Sequence, residues 1–269
     1  MLSGQSAVVG NFYQSVCGYG GRDGTGHAAV SARPRPMTAL IRATPNAMGN
    51  AIAKIRAEFR SGVTFGKPSR RNVAGRLTPA EKARLADMAI ESAMLALGTP
   101  APPFNLPEPA TGASVSIDDL GGPALVVTFI CNHCPYVKHV AAGLAALGRD
   151  LADQGVAMVA IASNDVVTYP QDGPDQMVAE SRRHGWTFPY LYDESQDVAR
   201  AFSAACTPDT FVFNGERRLV YRGQLDDSRP GNDLPVTAAD VRAAVNAVLG
   251  GRPVDADQRP SMGCGIKWR

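Results

Sequence analysis

Phe129-Ile130-Cys131-Asn132-His133-Cys134-Pro135-Tyr136 decides the reading of this chain. A short, continuous apolar run, Ala124 to Ile130, leads into the two cysteines. Such a run suits a strand buried on both faces. Beyond them Val137, Val140, Leu144, Leu147 and Leu151 recur at helical spacing, which predicts a helix from Pro135 to about Asp153. A strand therefore hands a Cys-x-x-Cys pair to a helix N-terminus. That end carries partial positive charge and unsatisfied N–H groups, which stabilise a thiolate and lower a thiol pKa. Thiol–disulfide exchange is the chemistry this layout favours. Two blander readings use the same residues. Small apolar cysteines can simply fill a strand end, and a Cys pair can be half a zinc site, although no second ligand pair at similar spacing exists here.

Outward from this line the pattern alternates strand and helix. Gly155 ends the helix, and Val156 to Ala162 reads as a second buried strand, giving a parallel βαβ unit. A polar loop, Ser163 to Asp175, precedes a helix over Gln176 to His184, a strand over Phe188 to Tyr192 and a helix over Ser195 to Ala205. Cys206-Thr207-Pro208-Asp209 then opens onto a strand, Thr210 to Phe213, a turn at Asn214-Gly215 and its partner strand, Arg218 to Tyr221. Pro235 to Leu249 predicts a closing helix with Thr237 as its cap, and a polar tail runs from about residue 250. Upstream, Gly98 to Pro109 is extended, Ser114 to Ile117 is a short strand, and Thr78-Pro79-Ala80-Glu81 is a capping box for a helix over 79–97.

Charge divides the chain. Residues 1–80 hold only Asp23 and Glu58 against eleven Lys and Arg, so the near-neutral total conceals a basic start and an acidic remainder. The start lacks sustained periodicity apart from a helical hint at Ala47 to Phe59. An organellar transit segment, a nucleic-acid-binding arm and a disordered extension all fit its composition; we expect the extension. The domain boundaries that follow are 1–87 for the extension, with Met88 a sensible domain start, and 88–269 for the folded domain with its tail. No run of 18 apolar residues and no secretory core are present, so neither a membrane span nor export is expected, and a cytoplasmic location follows. Five cysteines (Cys17, Cys131, Cys134, Cys206 and Cys264) are an odd number, too sparse for a disulfide scaffold.

The element order resembles a thioredoxin-like fold, which implies an α/β domain with a central mixed sheet flanked by helices. Gly98–Leu120 resembles the N-terminal extension of the alkyl hydroperoxide reductase/thiol-specific antioxidant (redoxin) group. The string Cys131 to His139, with the tail Gly263-Cys264-Gly265-Ile266-Lys267-Trp268, is similar to a peroxiredoxin-like branch of it. This resemblance covers roughly residues 88–269. It implies that Pro208 is a cis-proline facing the dithiol, preceded by Thr207. It also exposes departures: Ile130 stands where thioredoxins carry Trp, and Leu125 and Val126 supply no buried acid, so no general base is identified.

Which cysteine attacks stays open at this point. A thioredoxin-type assignment makes Cys131 the nucleophile, but the strand count and the cap position before Pro135 favour Cys134. His133 can stabilise a neighbouring thiolate, as in strongly oxidising relatives. His139 reads as a helix-surface residue. Cys206 and Cys264 are candidate extra resolving thiols, Cys264 by reaching back from a flexible Gly-flanked tail. The expected function is a thiol–disulfide oxidoreductase acting on protein or small-molecule disulfides. Its electrons would come from a thioredoxin- or glutathione-type donor, with no cofactor, metal, nucleic acid or membrane partner. A thiol peroxidase is the alternative. It is disfavoured because Val127 and Cys131 stand where the peroxidatic Pro-x-x-x-Thr-x-x-Cys pattern needs Pro and Thr. A metal-binding reading would use Cys131, Cys134 and His133 or His139.

Overall fold

The computed structural model describes residues 77–87 and 89–269. The basic extension up to residue 76, its hinted helix at 47–59, Cys17 and Met88 lie outside the described residues. Strand β4 (Ala124–Phe129) is fully buried and forms the middle of a five-stranded sheet. It pairs in parallel with β5 (Ala157–Ala162), which pairs in parallel with β6 (Tyr190–Tyr192). On its other side β4 runs antiparallel to β8 (Asp209–Asn214), and β8 to β9 (Leu219–Gly223). Helix α2 (Pro135–Asp153) provides the crossover between β4 and β5 over the predicted span, and Gly155, at φ +69°, lets the chain turn back.

Alternation along β4 sends its side chains to two cores. Ala124, Val126 and Ile130 pack with Val137, Val140, Leu144 and Leu147 of α2 and with Val241 and Val245. Leu125, Val127 and Phe129 face the opposite layer, where Phe202 meets Phe129, Phe211 and Phe213 edge-on at 5.4–5.9 Å. The extended segment supplies β2 (Asn105–Pro107) and β3 (Ser114–Ser116) as a separate antiparallel pair, with Phe104 and Leu106 in this second core. The result is a thioredoxin-like fold, a mixed sheet with flanking helices.

Several local expectations give way to long-range contacts. The Thr78 capping box forms, with the Glu81 carboxylate accepting from the Thr78 N–H and hydroxyl at 2.8 Å each. Yet helix α1 stops at Asp87 (Pro79–Asp87), because β1 (Ala89–Glu91) is pulled into a sheet. The partner is β10 (Met262–Gly265), part of the segment read as a polar tail, which lies between β1 and the two-residue β7 (Cys206–Thr207). Helix α3 (Pro174–His184) starts two residues before its expected start at Gln176 and ends where expected, whereas α4 (Asp197–Ala201) is shorter than predicted. Its start is claimed by Asp193, whose carboxylate accepts from the Ala199 N–H and the Ser163 hydroxyl. Helix α5 (Ala239–Leu249) begins after Thr237, which is not its cap. Asp226 accepts from the Thr237 and Ala238 N–H groups at 2.6 and 2.7 Å and takes over that role from a distant loop.

Candidate functional site: a buried thiol cluster at the start of the crossover helix

The last ladder bond of the strand segment runs from Ile130 N–H to the Ile161 carbonyl, after which the chain leaves the sheet. Cys134 has extended backbone angles (φ −63°, ψ 124°), its carbonyl accepts from Lys138 N–H, and Pro135 occupies the first helical position. It is therefore the N-cap residue of α2, as the proline predicts. Pro208 lies opposite, and its bond to Thr207 is cis. The Cys134 sulfur lies 3.1 Å from the Thr207 carbonyl oxygen, to which it donates when protonated, and the Thr207 hydroxyl lies 3.4 Å from the Cys131 sulfur. Cys131, Cys134, Thr207 and Pro208 are thus brought together as the sequence suggested.

The two thiols have opposite electrostatics. Cys134 is held well below the ordinary thiol range because the neighbouring Cys131 and Cys264 thiols and the Val137 N–H of the first helical turn favour its anion and together outweigh its burial. Cys131 is pushed well above that range by donating to Cys134, by burial and by the negative charge of Asp172. Both are sealed from solvent, at 1% exposure for Cys131 and 0% for Cys134.

His133 stands on the Cys131 side, with its Nδ1 4.0 Å from the Cys131 sulfur and 2.6 Å from Asp172 Oδ2. Tyr169 stacks on its ring at 5.3 Å. Asp172 is the site residue that sequence reasoning missed. It sits in a short 3-10 turn, Pro170–Asp172, and its carboxylate also accepts from the N–H groups of Asn132 and His133 and from the Asn164 amide. Burial raises its pKa, but these hydrogen bonds and the nearby imidazole outweigh burial and leave it lowered. Asn132 in turn is clamped by the Gln171 carbonyl and the Tyr190 hydroxyl. The loop after β5 was the available signal: β4 and β5 are parallel neighbours, so the loops leaving their carboxyl ends must meet.

The structure corrects two expectations and adds an acid. Cys264 does not sit in a flexible tail but in β10, paired with Thr207 and 3% exposed. His139 is half-buried on α2, 2.7 Å from the Ser228 hydroxyl, with its pKa lowered by burial. It is neither a solvent-facing residue nor close to the metal-ligand geometry considered for it. Cys206 is fully buried at the start of β7, with its thiol directed at the Pro208 carbonyl. The next acid, Asp209, is buried with Oδ1 lacking a hydrogen-bond partner among the described residues, and burial lifts its pKa to about 7. For a metal ion, Cys131 Sγ, His133 and Asp172 bring donor atoms within 4.8 Å of one another. The short His133–Asp172 hydrogen bond already joins two of those donors, and Cys134 stands outside the group. Among the described residues no helix is long and apolar enough to cross a membrane.

A thioredoxin-like sheet whose central strand delivers cysteines to a helix start, opposite a Thr–cis-Pro, defines an oxidoreductase of the redoxin group. The chain belongs to the AhpC/TSA family, which matches residues 97–222. It is similar to an uncharacterized conserved protein from Geobacillus kaustophilus, 52% identical over 67% of this chain and 96% of that one, with a TM-score of 0.66. A hypothetical protein from Sinorhizobium meliloti is 49% identical over 66% of this chain and 98% of its own, with a TM-score of 0.65. A thiol:disulfide interchange protein of the thioredoxin family from Chlorobium tepidum is 22% identical over 58% of this chain and 99% of its own, with a TM-score of 0.45. No curated protein matches the chain.

Proposed function

We propose that this protein is a thiol–disulfide oxidoreductase in which Cys134 attacks and Cys131 resolves. The observation that carries this reading is the different placement of two neighbouring thiols, Cys134 at the N-cap of α2 before Pro135 and Cys131 in the preceding loop that the Asp172 carboxylate holds. In the reductive direction the Cys134 thiolate attacks one sulfur of a substrate disulfide. A Cys134–substrate bond forms, the substrate S–S bond breaks, and the leaving thiolate takes a proton. Cys131 then gives up its proton and attacks Cys134, forming the Cys131–Cys134 disulfide and releasing the second substrate thiol. A thioredoxin-type dithiol, or two glutathione thiols that end as glutathione disulfide, returns two electrons and two protons. His133 and Asp172 flank Cys131 and hold the loop that carries it, so they are positioning residues.

The cleft beside Pro208, bordered by Tyr136, Ser228 and Arg229, has a volume of about 20 Å³, room for roughly one water. Cys134 itself is 0% exposed, so a peptide disulfide reaches it only when the surrounding chain opens. The test is insulin-disulfide reduction with a regenerating thiol donor. Activity is expected in the wild type and none in the Cys131→Ser/Cys134→Ser double variant; reduction that survives both changes overturns the reading. Rapid peroxide turnover with sulfenic acid at Cys134, in place of insulin reduction, would favour the peroxidase instead.

A further inference from the structure

Strand β10 closes over the helix start. Its residue Cys264 is in register with Thr207, the residue whose carbonyl takes the Cys134 thiol. Strand β10 also packs on α2, and Cys264 and Cys134 lie in the same buried cluster, so two thiols from different elements, Cys131 and Cys264, share the surroundings of Cys134. Close approach is built into the strand. A Cβ on Gly263 would lie 2.0 Å from the Thr207 carbonyl oxygen, so only glycine lets β10 lie flush against the Thr207–Pro208 segment.

The segment after β10 is fastened down. Ile266 N–H donates to the Ala205 carbonyl, and Lys267 N–H donates to Asn164 Oδ1. The Lys267 carbonyl accepts from Asp165 N–H and from the Gln196 amide, whose oxygen takes Arg269 N–H. These bonds fasten the C-terminal end of the strand that carries Cys264. Cys206 provides the contrast: it is as buried, but its thiol is directed at Pro208.

We propose that Cys264 is a third redox thiol, and that Cys134 exchanges its disulfide between Cys131 on the loop and Cys264 on strand β10. The inference rests on Cys134 being the attacking thiol. The Cys134 thiolate first attacks one sulfur of a disulfide such as glutathione disulfide, so a Cys134–glutathione mixed disulfide forms, the glutathione S–S bond breaks and one glutathione leaves as thiol. Cys264 then loses its proton and attacks the Cys134 sulfur, so the Cys134–Cys264 bond forms, the bond to glutathione breaks, and the second glutathione leaves as thiol. Two protein thiols are oxidised and one glutathione disulfide is reduced. Attack by Cys131 on Cys134 next forms Cys131–Cys134 and returns Cys264 to the thiol, a redox-neutral exchange that passes the proton from Cys131 to Cys264. In the Cys134–Cys264 form the strand is tied across the site. In the Cys131–Cys134 form it is held by hydrogen bonds alone.

The test is oxidation of Cys131→Ser with glutathione disulfide, followed by differential alkylation and peptide mass mapping. This variant keeps four of the five cysteines. It is expected to lose two titratable thiols and to yield a Cys134–Cys264 cross-linked peptide, which Cys264→Ser in the same background abolishes. A lasting glutathione adduct on Cys134, full retention of free thiols, or a link from Cys134 to Cys206 overturns the proposal. Should Cys131→Ser prove unfolded by circular dichroism, wild-type protein poised across a glutathione redox series decides instead. Both disulfide isomers must then appear, and absence of Cys134–Cys264 at every potential overturns the proposal. Failure of the underlying dithiol reading has its own signature, the absence of Cys131–Cys134 in Cys264→Ser.

Discussion

Cys131 and Cys134 are three residues apart, equally buried and in contact, yet their surroundings make them opposites. On the Cys131 side lies a polar lattice: the buried Asp172 carboxylate, His133, Asn132 and Asn164. Cys134 and burial keep Cys131 a thiol, and the negative charge of this lattice adds to them. On the Cys134 side lie the Val137 N–H of the first turn of α2 and a second thiol, Cys264. Donors there favour the anion. Sequence spacing alone makes the two residues interchangeable; what distinguishes them is which one receives hydrogen bonds and which one faces a carboxylate.

The comparison breaks most directly at Cys134. Cys134→Ser is expected to reduce disulfide-exchange rates by about a thousandfold or more, since it removes the nucleophile. Absorbance at 240 nm should show thiolate in the wild type well below the ordinary thiol pKa. In Cys134→Ser no thiolate signal is expected until high pH. If the low-pH thiolate survives that change and vanishes in Cys131→Ser, the roles are reversed.

Asp172 is the next largest lever. Asp172→Ala leaves two backbone N–H groups, the Asn164 amide and His133 without their acceptor, which should cost on the order of 3 kcal/mol in urea unfolding. Asp172→Asn removes the charge with less disruption, and the Cys131 pKa should then fall in the same absorbance titration. An unchanged Cys131 would show that Cys134 and burial set it without Asp172.

Asp209 should report through pH. Its folded pKa, about 7, exceeds its unfolded value, so the folded state holds the proton more tightly. That contribution is fully present below about pH 4 and is lost as pH rises toward 7, with a size of order 2–4 kcal/mol. Urea midpoints measured from pH 4.5 to 7.5 should therefore fall more steeply in the wild type than in Asp209→Asn. Equal slopes would assign the effect elsewhere. The smallest expected effect is Gly263→Ala, about 1–3 kcal/mol from forcing β10 off Thr207, together with faster alkylation of Cys134. A variant that loses stability while Cys134 stays as protected as before would remove β10 as its cover.

Much of this was legible in the residues. The run Ala124 to Ile130, the periodicity after Pro135 and the proline itself placed β4, α2 and the cap sulfur, because each is a local signal. Cis Pro208 followed from resemblance and element order. Asp172 was not legible, because it reaches the cysteines by lying in the loop beside theirs, a relation that only the pairing of β4 with β5 creates. Cys264 was misread as mobile, because short glycine-flanked segments look unstructured until a sheet edge receives them. The capping of α5 by Asp226 is the same kind of event: a distant carboxylate replaces the local threonine.

The three-stranded sheet β1–β10–β7 has a consequence for hydrogen exchange. It joins residues as far apart in sequence as Ala89 and Cys264 through a handful of ladder bonds, while the main sheet pairs β4 with β5 and β8 along its whole length. Short strands that close a long chain segment gain little per residue ordered, so this sheet can open while the five-stranded sheet stays intact. Amides of β10 should then exchange well before those of β4, and their opening free energy sets how often Cys134 meets the outside.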